Sequence, residues 1–172
     1  MSDRPTCGGV TFAAAAGVPT FTYPSSGVTP AELLVKLRDA PVSASLVLLA
    51  GYLKLLPTEV VRAFPRAVLN IHPAPLPAFG GKGMYGAAVH SAVLASRSPV
   101  SGPTVHFVDE GYDTGPTLAW MEVPVHRPED TPASLAARVL AAEWELYPVA
   151  VAAVVDGRVK WAADGQPIRL RV

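Results

Sequence analysis

Asn70 and His72 stand two residues apart at the end of an apolar run, Ala67-Val68-Leu69-Asn70-Ile71. Side chains in a strand repeat with a period of two, so an amide donor and an imidazole would share one face. Together they can hold a single oxygen that gains negative charge during a reaction. A second polar segment, Asp109-Glu110-Gly111-Tyr112-Asp113-Thr114-Gly115-Pro116, crowds three carboxylates among glycines. One reading sets Asp113 against His72, where it keeps the imidazole charged and accepts a proton. The other lets Asp113 close a solvated turn through its own backbone. The same choice stands for Asn70 and His72, because such residues at a strand end serve turns and packing as readily as catalysis. His106 reads as a half-buried structural histidine or as a support for other site groups. His90 and His126 have no partner at metal-ligand spacing. Cys7 is the one cysteine, so no thiolate cluster for a metal and no internal disulfide can form. The sequence contains no G-x-S-x-G elbow, no H-E-x-x-H, no Walker loop and no G-x-G-x-x-G after a strand.

Those residues must be carried by one domain, spanning 1–172, since this length suits a single hydrophobic core. Fourteen basic residues balance fourteen acidic ones, which argues against nucleic-acid or acidic-membrane partners. Half the residues are hydrophobic and only 16% charged, so apolar surface is expected to remain after folding. The apolar runs from Ser45 to Leu56 and from Pro148 to Val155 stop well short of the roughly 20 residues of a membrane span. The lone cysteine and the lack of a signal-peptide pattern after Met1 point to a reducing, cytoplasmic compartment, with an organelle such as the plastid open if the N-terminus is incomplete.

The elements follow from punctuation and period. Thr11 to Ala16 reads as the end of a helix closed by Gly17, and Val18 to Tyr23 as a short strand. Thr29-Pro30-Ala31-Glu32 is a capping box with proline at the first helical position, opening a helix to about Asp39. Ser45 to Gly51 and Ala67 to Ile71 read as strands buried on both faces of a parallel sheet, with a short helix from Pro57 between them. A loop rich in proline and glycine runs from His72 to Gly83, which in a compact domain marks function. Then come a helix from Met84 to Ser96, strands at Pro103–Val108 and Thr117–Val125, and a long helix from Thr131-Pro132 through Val155, kinked at Pro148. The last residues suggest a short hairpin. The alternation predicts an α/β fold with a mostly parallel sheet flanked by helices, binding its ligand beyond the carboxyl ends of the strands.

At this point several spaced segments resemble the formyltransferases that use formyltetrahydrofolate. The segments are Asn70-Ile71-His72-Pro73, Leu76-Pro77, Phe79 to Gly86, Gly102 to Glu110, Tyr112 to Pro116, and Leu135 to Leu140 leading to Glu143 and Tyr147-Pro148. They keep the family's order from about Ala16 onward and are most similar to the branch that formylates glycinamide ribonucleotide in purine (IMP) synthesis. The resemblance implies a Rossmann-like formyltransferase fold and 10-formyltetrahydrofolate as co-substrate, with no metal. It implies Asn70, His72 and Asp113 as catalytic residues. It places the folate against Leu53, Lys54, Leu55 and Leu56 and against Asp109, Glu110 and Tyr112. It gives Glu143, Pro73 and Gly81 to the nucleotide substrate, while Lys82 reads as a solvated charge. The partners expected are therefore small molecules, with no nucleic acid and no membrane.

The resemblance also carries a departure. Members of the family begin with a strand and a glycine- and asparagine-containing loop that cradles the substrate phosphate at a helix N-terminus. Here Met1 falls where the second strand is ending, so the chain is expected to be N-terminally truncated by part of a βαβ unit, leaving a sheet edge through which copies could associate. Sister activities stay open on the same scaffold: formyltetrahydrofolate hydrolysis, formylation of methionyl-tRNA, or a folate-binding remnant without turnover. A tRNA enzyme would be expected to carry an additional basic C-terminal domain, which this neutral sequence does not present.

Overall fold

The computed structural model describes residues 1–24, 27–39 and 42–170. Eleven elements follow one another among them: α1 (Gly8–Ala15), α2 (Pro30–Arg38), β1 (Val47–Leu49), α3 (Thr58–Ala63), β2 (Val68–His72), α4 (Ala87–Ser96), β3 (Val100–Ser101), β4 (Thr104–Phe107), β5 (Thr117–Trp120), β6 (Val123–Pro124) and α5 (Pro132–Val155). The local signals act as their chemistry requires. Thr29 Oγ1 accepts the Glu32 N–H while Glu32 accepts the Thr29 N–H at 2.7 Å, closing the capping box of α2. Thr131 does the same for α5 with Ser134.

The main sheet has the order β1-β2-β4-β5. β1 pairs parallel with β2, whereas β2·β4 and β4·β5 are antiparallel. Three of the four strands thus point the same way and the α/β class holds, but only one ladder is parallel. The reversal lies in β4, which returns against β2 and is joined to β5 by the short 108–116 loop. A loop of that length suits an antiparallel return and is too short for a helical crossover.

Buried side chains form three clusters. Leu33, Leu37, Val60 and Phe64 of the α2–α3 region pack with Val47, Leu49 and Val68. Leu146 and Ala150 of α5 cover Leu69, Ile71, Val105 and Phe107 on the opposite face. Val89 and Val93 of α4 meet Leu135, Val139 and Ala142 of α5 and Val123 of β6. The alternation along β2 sends Leu69 and Ile71 to α5, which leaves Asn70 and His72 on the other face, at the strand's carboxyl end.

Four expectations need correction. The Val18–Tyr23 segment makes only an isolated parallel bridge, Ser2 to Thr22, because Pro19 and Pro24 remove the donors a longer ladder needs. β1 is not buried on both faces: Leu48 is 46% exposed and, among the described residues, β1 has no ladder on its outer side. The helix expected from Met84 begins at Ala87, since Gly83 and Gly86 hold left-handed backbone (φ 90° and 57°). The strand expected through Val125 breaks after Trp120, where Gly102 sits so close that a Cβ there would lie 1.9 Å from the Met121 carbonyl oxygen; Val123 and Pro124 then pair with β3. α5 spans Pro132–Val155 as expected, with Pro148 inside it. The last residues do form a short hairpin around the antiparallel bridge of Trp161 and Pro167, with the Ala162 N–H donating to the Gln166 carbonyl and the Ile168 N–H to that of Lys160, both at 2.8 Å.

Candidate active site

Antiparallel pairing sets Asn70 directly opposite His106, and His72 opposite Thr104. Thr104 fixes the start of the proline-rich loop: its Oγ1 donates to the Ala74 carbonyl at 2.8 Å and accepts the Leu76 N–H at 3.3 Å. The register of β5 slips by one residue opposite Val105 and His106, a bulge of the kind found beside functional side chains.

The hydrogen-bond network fixes the tautomer of His106. Its Nδ1 lies 2.9 Å from the Phe107 carbonyl oxygen, which can only accept, so Nδ1 carries the hydrogen. Nε2 is then a lone pair, and Asn70 Nδ2 at 3.1 Å donates to it. That contact orients the Asn70 amide and commits one of its two N–H bonds. His106 Nε2 also lies 3.6 Å from Asp113 Oδ1, a longer approach that the ring makes as a donor only when protonated.

His72 is 4% exposed, and both its nitrogens have protein neighbours. Nε2 donates to the Phe79 carbonyl oxygen at 2.8 Å, and Nδ1 lies 3.5 Å from Asp113 Oδ2. Two acceptors flank the ring, an arrangement suited to an imidazolium. Burial nevertheless prevails over the attraction of Asp113, and the His72 pKa lies below the ordinary histidine value. Burial thus works against the charged imidazole, and Asp113 works for it. Asp113 occupies left-handed backbone, φ 56°, and its Oδ2 accepts the Gly81 N–H at 3.0 Å. Burial raises its pKa, but the hydrogen bonds available from His106 and Gly81 and the two imidazoles lower it by more, so the carboxylate stays ionised. Gly80 is required beside it, because a Cβ there would lie 2.9 Å from the Asp113 Cβ.

Asn70, His72 and Asp113 border one cavity of about 260 Å³, together with Pro73, Gly81, Leu53, Tyr112 and Glu143. Burial pushes the Glu143 carboxyl above its ordinary value. A recess of about 40 Å³ beside it is bordered by Lys54, Leu55, Leu56, Tyr112, His106 and Asp113. Two expected contacts are not brought to either space. The Asp109 carboxylate folds onto its own loop, accepting from Gly111 N–H at 3.0 Å and Thr114 Oγ1 at 2.6 Å, and Glu110 pairs with Arg62 at 2.7 Å. Lys54 reaches toward Asp3 at 4.0 Å, and Lys82 is exposed.

Tyr52, Met84 and Tyr85 also line the cavity and were not singled out from the sequence. The rule that ligands lie beyond strand carboxyl ends, applied to β1, finds Tyr52. Tyr147, on α5, donates to the Leu49 and Leu69 carbonyls at 3.0 and 3.1 Å, tying the helix to β1 and β2 just below the site. A larger cavity, about 640 Å³ between Met1–Arg4 and β1, holds none of the three central polar groups. No group of three His, Cys, Asp or Glu among the described residues is placed to hold a metal ion.

The sequence profile of the formyl transferase family matches residues 1–151. The chain is 50% identical, over 98% of its length, to a protein of Arabidopsis thaliana named phosphoribosylglycinamide formyltransferase, chloroplastic, and 49% identical over 98% to the protein of that name from Vigna unguiculata. It spans 59% and 54% of the lengths of those two relatives. A crystal structure of phosphoribosylglycinamide formyltransferase from Anaplasma phagocytophilum superposes with a TM-score of 0.85 at 31% identity, covering 98% of this chain and 79% of that one. With the profile extending over most of the sequence and the solved relative sharing its fold, this chain belongs to the formyl transferase family.

Proposed function

We propose that the chain transfers the formyl group of 10-formyltetrahydrofolate to the amine of glycinamide ribonucleotide, a step of purine synthesis. The observation that carries this reading is the convergence of Asn70, His72 and Asp113 on one cavity whose wall also holds Glu143. Attack of the amine on the formyl carbon creates a tetrahedral centre with a negatively charged oxygen. The Asn70 N–H that His106 leaves free is the ready donor to that oxygen. His72 contributes from beside it: a developing anion favours the imidazolium that burial otherwise disfavours, and Asp113 stands 3.5 Å from Nδ1 to stabilise it. The ionised Asp113 is also placed to receive a proton from the attacking amine and return it, directly or through water, to the leaving folate nitrogen.

Leu55, Leu56, Tyr112 and Lys54, which border the recess, and Leu53 on the wall of the larger cavity would flank the flat ring system of the folate. Of the three expected folate contacts on the 108–116 loop, Tyr112 borders the recess, whereas the Asp109 and Glu110 carboxylates are turned onto Thr114 and Arg62. Glu143, half-buried with a raised pKa, together with Pro73 and Gly81 would receive the sugar and amine of the nucleotide. The chloroplast names of the plant relatives favour a plastid over the cytoplasm as its compartment.

The test supplies the chain with both substrates and follows formylated glycinamide ribonucleotide and free formate by mass spectrometry. The expected result is the formylated nucleotide. Formate alone would mean hydrolysis, and folate binding with neither product would mean a remnant without turnover.

A further inference from the structure

We infer that Thr104 is a positioning residue for formyl transfer, its one hydroxyl fastening the loop that presents partners to both His72 and Asp113. The inference deepens the functional reading above and rests on it. Prolines at 73, 75 and 77 have no backbone N–H, so between His72 and Ala78 only Ala74 and Leu76 can donate from the main chain. Thr104 is 1% exposed and stands opposite His72 in the β2·β4 ladder, hence on the same face of the sheet. There its Oγ1 donates to the Ala74 carbonyl at 2.8 Å and accepts the Leu76 N–H at 3.3 Å. A hydroxyl is the one small group that can do both.

From that anchor the loop is braced as far as the site. The Phe79 N–H donates to the Pro75 carbonyl at 3.1 Å and the Gly80 N–H to that of Pro77 at 3.3 Å. Leu76 lies so close to Gly80 that a Cβ there would stand 2.5 Å from Leu76 Cδ2. The residues on either side of Gly80 then meet the two titrating groups. The Phe79 carbonyl accepts from His72 Nε2 at 2.8 Å, and the Gly81 N–H donates to Asp113 Oδ2 at 3.0 Å. A displaced anchor therefore shifts a partner of the imidazole and a partner of the carboxylate together. Thr104 borders neither the cavity nor its recess, so its effect on the reaction runs through the loop.

The experiment compares Thr104→Val, Thr104→Ser and Thr104→Cys. Valine keeps the branched shape and loses both bonds, serine keeps the hydroxyl, and cysteine offers only a weak thiol. Thr104→Val should lower kcat about 10- to 100-fold, the effect of a misplacement of about 1 Å, with a much smaller change in KM for the folate. Thr104→Ser should recover most of that loss, and Thr104→Cys should fall between. The Phe79 carbonyl favours the charged His72 ring, while Asp113 and His106, the charged or titrating groups that also act on it, are kept in every variant. The His72 titration, followed by nuclear magnetic resonance, should thus move to lower pH in Thr104→Val and return in Thr104→Ser. That readout needs no turnover, so a chain that forms no formylated nucleotide refutes the functional reading, and the ring titration alone then decides the role of Thr104. Wild-type kcat in Thr104→Val overturns the inference. So does a variant that is less stable in urea but leaves the His72 titration unmoved, which would make Thr104 structural only. If Thr104→Val does not fold, the cysteine variant decides: matching Thr104→Ser in both kcat and titration overturns the inference.

Discussion

Asn70 and His106 face each other across the β2·β4 ladder, the amide nitrogen of one 3.1 Å from the ring nitrogen of the other, and the Phe107 carbonyl decides which of the two donates. His106 thereby acts through Asn70, as a positioning residue. Removing the donor itself, Asn70→Ala, should lower kcat by about 10² to 10³. His106→Ala should lower kcat by a smaller factor in the native background and by almost nothing in the Asn70→Ala background. A double-mutant cycle of kcat, with folate affinity measured in parallel, checks this. Additive losses would mean that His106 serves the reaction by another route.

Asp113 sits in left-handed backbone, a region that Asn tolerates and most residues do not. Asp113→Asn therefore removes the charge without straining the loop. Turnover should fall by about 10² or more, with folate affinity little changed, because the carboxylate is the proton acceptor and not a ligand of the ring system. The sign for His72 follows: Asp113 pulls its pKa up against burial, so losing the charge moves the imidazole titration to lower pH. Nuclear magnetic resonance of the His72 ring before and after substitution reads that shift. An unmoved titration would show that the 3.5 Å approach carries no coupling.

Much of this arrangement was legible in the sequence because period-two side-chain alternation and turn residues act locally. The shared face of Asn70 and His72 needed only a strand, and the caps of α2 and α5 needed only Thr29, Glu32, Thr131 and Pro132. What lay beyond reach depends on contacts distant in sequence. The reversal of β4 is set by where the 73–103 segment returns, not by any residue within the strand. The part played by His106 depends on a cross-strand partner 36 residues away and on the carbonyl that fixes its tautomer. Nothing in the residue types of Asp109 and Glu110 says where their carboxylates go. Only the folded loop turns the first onto Thr114 and the second onto Arg62.

Gly115 tests the same carbonyl from behind. A Cβ at this position would lie 1.9 Å from the Phe107 carbonyl oxygen, the acceptor that holds His106 Nδ1. Backbone must move to admit it, so Gly115→Ala should destabilise the fold by about 1–3 kcal/mol, in the range of forced overpacking. Turnover in the surviving folded fraction should fall as well, because the shift reaches Asn70 through His106. Urea unfolding paired with kcat per folded molecule separates the two effects. A variant with wild-type midpoint and activity would refute the tight approach.

The pH dependence of stability should be dominated by buried histidines. His72 and His90 both have pKa values below the ordinary 6.5 because burial disfavours their charged forms, and His72 lowers His90 further. His90 Nδ1, buried without a hydrogen-bond partner in the structure, gains nothing that would offset its desolvation. A group whose folded pKa is depressed stabilises fully above its unfolded value, and that stability is lost as pH falls through the folded one. Asp113, depressed below 3.8, acts in the same direction at still lower pH. Stability should thus be flat above about pH 7 and decline on acidification from about pH 6.5. In urea titrations at pH 7.5 and 5.0 the midpoint should drop at the lower pH, and His90→Phe should make that drop smaller even if it alters stability at pH 7.5. Equal midpoints at the two pH values, or a drop unaffected by His90→Phe, would mean that the imidazole is solvated or partnered and does not titrate as a buried group.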